Sequence, residues 1–291
     1  MLKQIELRYG GAAAQVGGQD LLRVLPNRFV DCIGPFTFLD YFPPRSIKAS
    51  APKPPDGSFA HPHRGISTFT YIIEGQIEHY DSRGNHGIVK SGGIQWMKAG
   101  NGIVHDEAFP EEFQRSGGIL QGLQFWINLP AENKAEEPEY KPIQSDEIPE
   151  YKLDQDRGTL RVLIGDYDEH FSLIPVYSQQ FLYHIILNPG GVFSFDTEKD
   201  MEYAAQFISG EGKVNDADAT EPELFVFGEE GSGIHLVNTG ASQMDVILFG
   251  GEAYTEPIEA GGPFVMNTRE ELSQAYQDYR KGEYGIINYN N

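Results

Sequence analysis

Short runs of alternating or β-branched and aromatic residues, separated by turn formers, set the pattern of this chain. Thr68-Phe69-Thr70-Tyr71-Ile72-Ile73 is such a run, closed by Glu74-Gly75, and Ile77-Glu78-His79-Tyr80 is the next. Side chains of this kind suit a pleated, half-buried surface, so both runs predict strands. Asp81-Ser82-Arg83-Gly84-Asn85 predicts a turn, because Gly and Asn tolerate the positive φ it needs. Further strands are expected near Gly87 to Val89, Ile94 to Met97 and Ile103 to Glu107, divided by Gly92-Gly93 and Gly100-Asn101-Gly102. Roughly ten residues per strand is the spacing of a sandwich or barrel.

A weaker second pass of the same pattern lies downstream. Phe207-Ile208-Ser209-Gly210-Glu211-Gly212 matches Tyr71 to Gln76 in character, and Gly233 to Gly240 echoes Gly93 to Gly100. Two copies of one β-barrel unit explain both, an N-terminal unit over 1–135 and a C-terminal one over 136–291. Pro130 to Pro138, polar and proline-bounded, reads as a linker with one helical turn. Helical spacing occurs once, near the C-terminus, where Leu272, Ala275, Tyr276 and Tyr279 recur. Thr268 and Glu271 form a capping box ahead of this stripe and Gly282 offers a stop, so a short helix with a core-packed tyrosine stripe is expected.

Composition narrows the function classes. The chain has 291 residues, 40% of them apolar, which is enough to bury real cores. Its formal net charge of −21 repels phosphate backbones and anionic lipid, which argues against nucleic-acid and membrane partners. Cys32 is the single cysteine, so no internal disulfide framework exists, and its apolar-leaning surroundings predict an inert buried thiol. The first residues, Met1-Leu2-Lys3-Gln4-Ile5-Glu6, carry no apolar signal core, and a soluble cytoplasmic protein is expected.

Candidate chemistry sits in two dyads, His61-Pro62-His63 and His105-Asp106-Glu107. Side chains alternate along a strand, so His61 and His63 share a face, as do His105 and Glu107. Two such strands brought together offer three imidazoles and one carboxylate to a single ion. That donor set suits Fe(II), Mn, Ni, Cu or Zn rather than Ca or Mg. The remaining histidines, His79, His86, His170, His184 and His235, are scattered and read as ordinary. The second unit lacks both dyads: Asp245 occupies the place where His105 would recur. Pro62 has no amide donor, which places the first dyad at a sheet edge or barrel mouth.

At His61-Pro62-His63-Arg64-Gly65, Tyr71-Ile72-Ile73-Glu74-Gly75, Asp81-Ser82-Arg83-Gly84 and Trp96 to Glu107, the sequence resembles the pirin family of the cupin superfamily. Gly34-Pro35-Phe36, Gly122 to Pro130, Glu256-Pro257-Ile258 and Gly262 to Thr268 extend the match over nearly the whole chain. The resemblance implies an all-β bicupin: two tandem cupin barrels with a short C-terminal helix. It also implies one metal in the N-terminal barrel, usually iron, held by His61, His63, His105 and Glu107, with Cu, Ni, Co, Mn and Zn as alternatives. Pirins commonly carry Glu where this chain has Ser67, a change that spares the ligands and alters the electrostatics around them.

The expected activity is that of a metal-dependent quercetin 2,3-dioxygenase, with a flavonol-like aromatic and dioxygen as small-molecule partners. Glu107 doubles as the candidate catalytic base. Arg64 either steadies an anionic substrate or pairs with one of the many carboxylates. Trp96 and Met97 pack in the barrel core or wall a flat substrate. The rival expectation is a non-catalytic metal or redox sensor that regulates a protein partner. A monomer is favoured.

Overall fold

A computed structural model describes residues 1–16 and 18–290. The chain divides into two compact units that interleave along the sequence. One comprises Met1–Ala13, Leu22–Thr37 and Ile148–Tyr254; the other comprises Ala14–Leu21, Phe38–Glu147 and Thr255–Asn291. Each is all-β, as expected, but a single cut between residues 135 and 136 would not separate them. The chain's first strand, Ile5–Tyr9, pairs with Glu223–Phe227, so the N-terminus completes the sheet of the unit built mainly from later residues. The C-terminal segment from Thr255 onward joins the unit that carries the histidine dyads.

In the histidine-bearing unit, the larger sheet runs in the order Glu139–Ile143, Ile94–Lys98, Ile66–Glu74, Gly118–Asn128, Phe36–Ile47. The smaller sheet is ordered His61–His63, Ile103–Ala108, Gln76–Asp81, His86–Lys90. His61–His63 is therefore an edge strand, as Pro62 required. Ile66, Met97, Ala99, Ile103 and Val265 form a buried cluster in this unit. Trp96 and Met97 are both fully buried, which decides for core packing.

The other unit repeats the build, with a larger sheet around Met201–Ser209, Met244–Glu252 and Gln180–Leu187 and a four-stranded sheet around Val192–Asp196 and Gly233–Asn238. Its interior is filled by Leu160, Tyr183, Phe193, Tyr203, Phe207, Phe225 and Val246. Asp245 accepts from Ser209 Oγ at 2.8 Å and lies 3.0 Å from His184 Nε2, a pairing that satisfies it structurally.

The C-terminal helix is Arg269–Arg280, capped as predicted: Glu271 N donates to Thr268 Oγ1 and Thr268 N donates to Glu271 Oε2. Its core contact is narrower than the stripe suggested. Ala275 is buried, Tyr276 is half-buried with its hydroxyl on Gly261 O at 2.9 Å, and Tyr279 is exposed. The expected linker is also a packed part of its unit. Ala131–Asn133 forms a 3₁₀ turn, and Lys134 is buried with Nζ donating to Gly65 O, Asn128 Oδ1 and Val265 O at 2.8, 2.5 and 2.9 Å. Burial pushes the Lys134 ammonium down to about 8, so it is still largely charged at neutral pH and its three acceptors all count. Among the described residues no helix is long and apolar enough to cross a membrane.

Candidate metal centre

Register brings the dyads together. In the antiparallel pair of His61–His63 with Ile103–Ala108, His61 lies opposite His105 and His63 opposite Ile103. His61 Nε2 and His105 Nε2 are 3.0 Å apart. One ring nitrogen from each of His61, His63 and His105 lies within 4.8 Å of the others. Among the described residues this is the cluster whose spacing suits an ion.

The outer nitrogens fix which way the rings present themselves. His61 Nδ1–H donates to Phe59 O at 2.8 Å and His63 Nδ1–H donates to Pro263 O at 3.1 Å, so the Nε2 lone pair of each faces inward. His63 and His105 are almost wholly buried. Burial, reinforced by His61, pushes His63 down to about 3 and His105 well below its ordinary value. Neutral imidazoles with converging lone pairs are the state a divalent metal needs. The residues present therefore fit a divalent metal.

Glu107 is placed differently. It falls outside the mutual spacing of the three rings, and its Oε1 accepts from Gln95 Nε2 at 2.6 Å. The strand register explains the offset: Glu107 is two residues beyond His105, opposite His79 rather than opposite His61. Two residues of strand amount to roughly 7 Å of rise. The structure thus brings three of the four expected ligands together and holds the fourth on an amide.

Several residues around the centre escaped the sequence reading. His79, taken as ordinary, is fully buried, with its ring 5.4 Å from that of His105 and stacked on Tyr140 at 4.0 Å. Its Nε2 lies 3.1 Å from Asp81 Oδ2. Burial alone would raise the Asp81 carboxyl, yet hydrogen bonds from His79 and Asn85 hold it below its ordinary value. The signal was present: His79-Tyr80-Asp81 has the same alternate spacing as the two dyads, on the strand next to Ile103–Ala108. Trp126 stands edge-on to His63 at 5.1 Å and stacks on Phe38 at 4.2 Å, giving a flat aromatic wall. Arg64 is committed to a carboxylate, donating from Nη1 to Asp278 Oδ2 at 2.7 Å. Cys32 is half-buried, and its thiol is pushed up to about 11 by burial and by Glu202 and Asp31.

Two barrels of one build, one of them carrying a histidine triad on two hydrogen-bonded neighbouring strands, define a bicupin, with one candidate metal centre among the described residues. Comparison with known sequences and structures makes the assignment specific. A profile described as Pirin matches residues 18–127, and one described as Pirin C-terminal cupin domain matches residues 182–285. A pirin-like protein of Caulobacter vibrioides is 33% identical over 96% of this chain and 94% of its own length. One from Solanum lycopersicum is 33% identical over 87% of this chain and 83% of its own. The crystal structure of a quercetin 2,3-dioxygenase from Acinetobacter baumannii superposes with a TM-score of 0.90 at 29% identity, covering 99% of this chain and 100% of that one. The chain belongs to the pirin family.

Proposed function

We propose that this protein is a metal-dependent dioxygenase acting on flavonols such as quercetin, with Fe(II) as the working metal. The observation that carries the reading is the convergence of three imidazole nitrogens, two of the rings oriented by backbone carbonyls. The solved structure it resembles, a quercetin 2,3-dioxygenase, supplies the substrate class. His61, His63 and His105 would hold the ion, and Glu107 would join them as fourth ligand. A bound divalent metal supplies Lewis acidity toward adjacent hydroxyl and carbonyl oxygens and a redox partner for dioxygen.

The protein's own contribution is positioning and proton handling. Trp126, braced by Phe38, offers a planar wall beside His63 against which a flat aromatic can lie. In this reading Glu107 is the carboxylate that would accept the flavonol hydroxyl proton at an Oε atom. Burial of His63 and His105 keeps water away from one side of the site. The decisive test is oxygen uptake with quercetin by ferrous-loaded protein, accompanied by loss of the flavonol's visible absorbance. Activity that disappears in a folded His63→Ala variant supports the reading; no uptake with Fe, Cu, Ni, Co or Mn removes it.

A further inference from the structure

The geometry points to Gln95 as a positioning residue that holds the Glu107 carboxylate away from the histidine cluster, so that the fourth ligand engages only when this hydrogen bond opens. The inference rests on the metal reading above and concerns how that site is regulated. Gln95 lies on Ile94–Lys98 of the larger sheet, is 1% exposed, and donates from Nε2 to Glu107 Oε1 at 2.6 Å. Glu107 lies on Ile103–Ala108 of the smaller sheet. The contact therefore crosses from one sheet to the other.

The orientation of the amide is itself fixed. Tyr140 OH lies 3.5 Å from Gln95 Oε1, which leaves the NH₂ end facing Glu107. Tyr140 is in turn stacked on His79, whose ring neighbours His105. Burial, with Glu107 and Asp81 close by, pushes the Tyr140 phenol strongly up, so it stays a donor at every working pH. A neutral donor to a half-buried carboxylate is a charge-assisted contact, and giving it up must be repaid by whatever receives the carboxylate. Glu107 is thus shared between two claims: the amide of Gln95 and the cationic centre that three imidazoles can hold. A substrate that ends the hydrogen bond shifts the balance toward the second.

Cobalt(II) is a suitable probe, because its affinity and its visible d–d absorption report ligand number without turnover. Gln95→Leu, similar in volume, is expected to bind cobalt about tenfold or more tightly than the wild-type protein, with an altered d–d spectrum. The gain must vanish when Glu107→Gln is combined with it, since the carboxylate is what the amide restrains. Gln95→Met provides a second variant should the leucine perturb folding, checked by circular dichroism. Equal cobalt affinity in folded wild-type and Gln95 variants overturns the inference while leaving the metal reading intact. Weaker binding in those variants also overturns it, because the amide would then be delivering the carboxylate. A wild-type protein that binds no divalent metal removes both.

Discussion

His63 shows how much a single side chain here depends on what surrounds it. Its ring is buried, its Nδ1 is spent on Pro263 O, and its remaining lone pair faces two other imidazoles. Loss of an orienting partner around a metal commonly costs ten- to a hundredfold in affinity, so removal of the ligand itself in His63→Ala should exceed about 100-fold, measured by competition against a chelator. Its depressed basicity also fixes the sign of a pH effect in metal-free protein. Below the ordinary histidine value of 6.5, the unfolded chain binds a proton that folded His63, pushed down to about 3, refuses. Stability should therefore fall as pH drops from about 6.5 toward 3, and His63→Gln should flatten that fall in thermal melts. Cys32 makes the opposite kind of residue: with its thiol near 11, it should react slowly with a disulfide reagent at pH 8 in the folded state and rapidly once unfolded.

Among the elements, the histidine-bearing strands were legible because a dyad with alternate spacing is a local fact about a strand. The edge position of His61–His63 followed from Pro62 for the same reason, and so did the capped helix at Arg269–Arg280. Thr268→Ala should cost about 0.5–2 kcal/mol, read by chemical denaturation. What the sequence hid was the register between strands and the contacts from sheet to sheet. The placement of Glu107 opposite His79, and not opposite His61, depends on register, which no spacing within one strand determines. Gln95 was invisible for the same reason, since its partner lies on the other sheet. Gly65 carries a constraint of the same kind: its φ is 81°, and an added Cβ would sit 2.0 Å from Val265 O, a clash set by residues far along the chain.

Across the whole molecule, the second pass of the strand pattern identified two barrels, while the partition of the chain between them was not legible. Strand exchange at the termini leaves no mark on local composition. A fragment spanning 136–291 lacks Ile5–Tyr9, the strand that covers the edge of Glu223–Phe227, and should aggregate on expression. A fragment spanning 1–135 lacks Pro263 and Val265, which serve His63 and Lys134, and should bind metal far more weakly than the intact chain in equilibrium dialysis. The bond from His63 to Pro263 also sets a schedule. On the ribosome, the imidazole emerges 200 residues before the carbonyl that orients it. Nascent chains stalled before Pro263 carry an unfinished claw and are expected to hold a divalent metal more weakly than chains that include it.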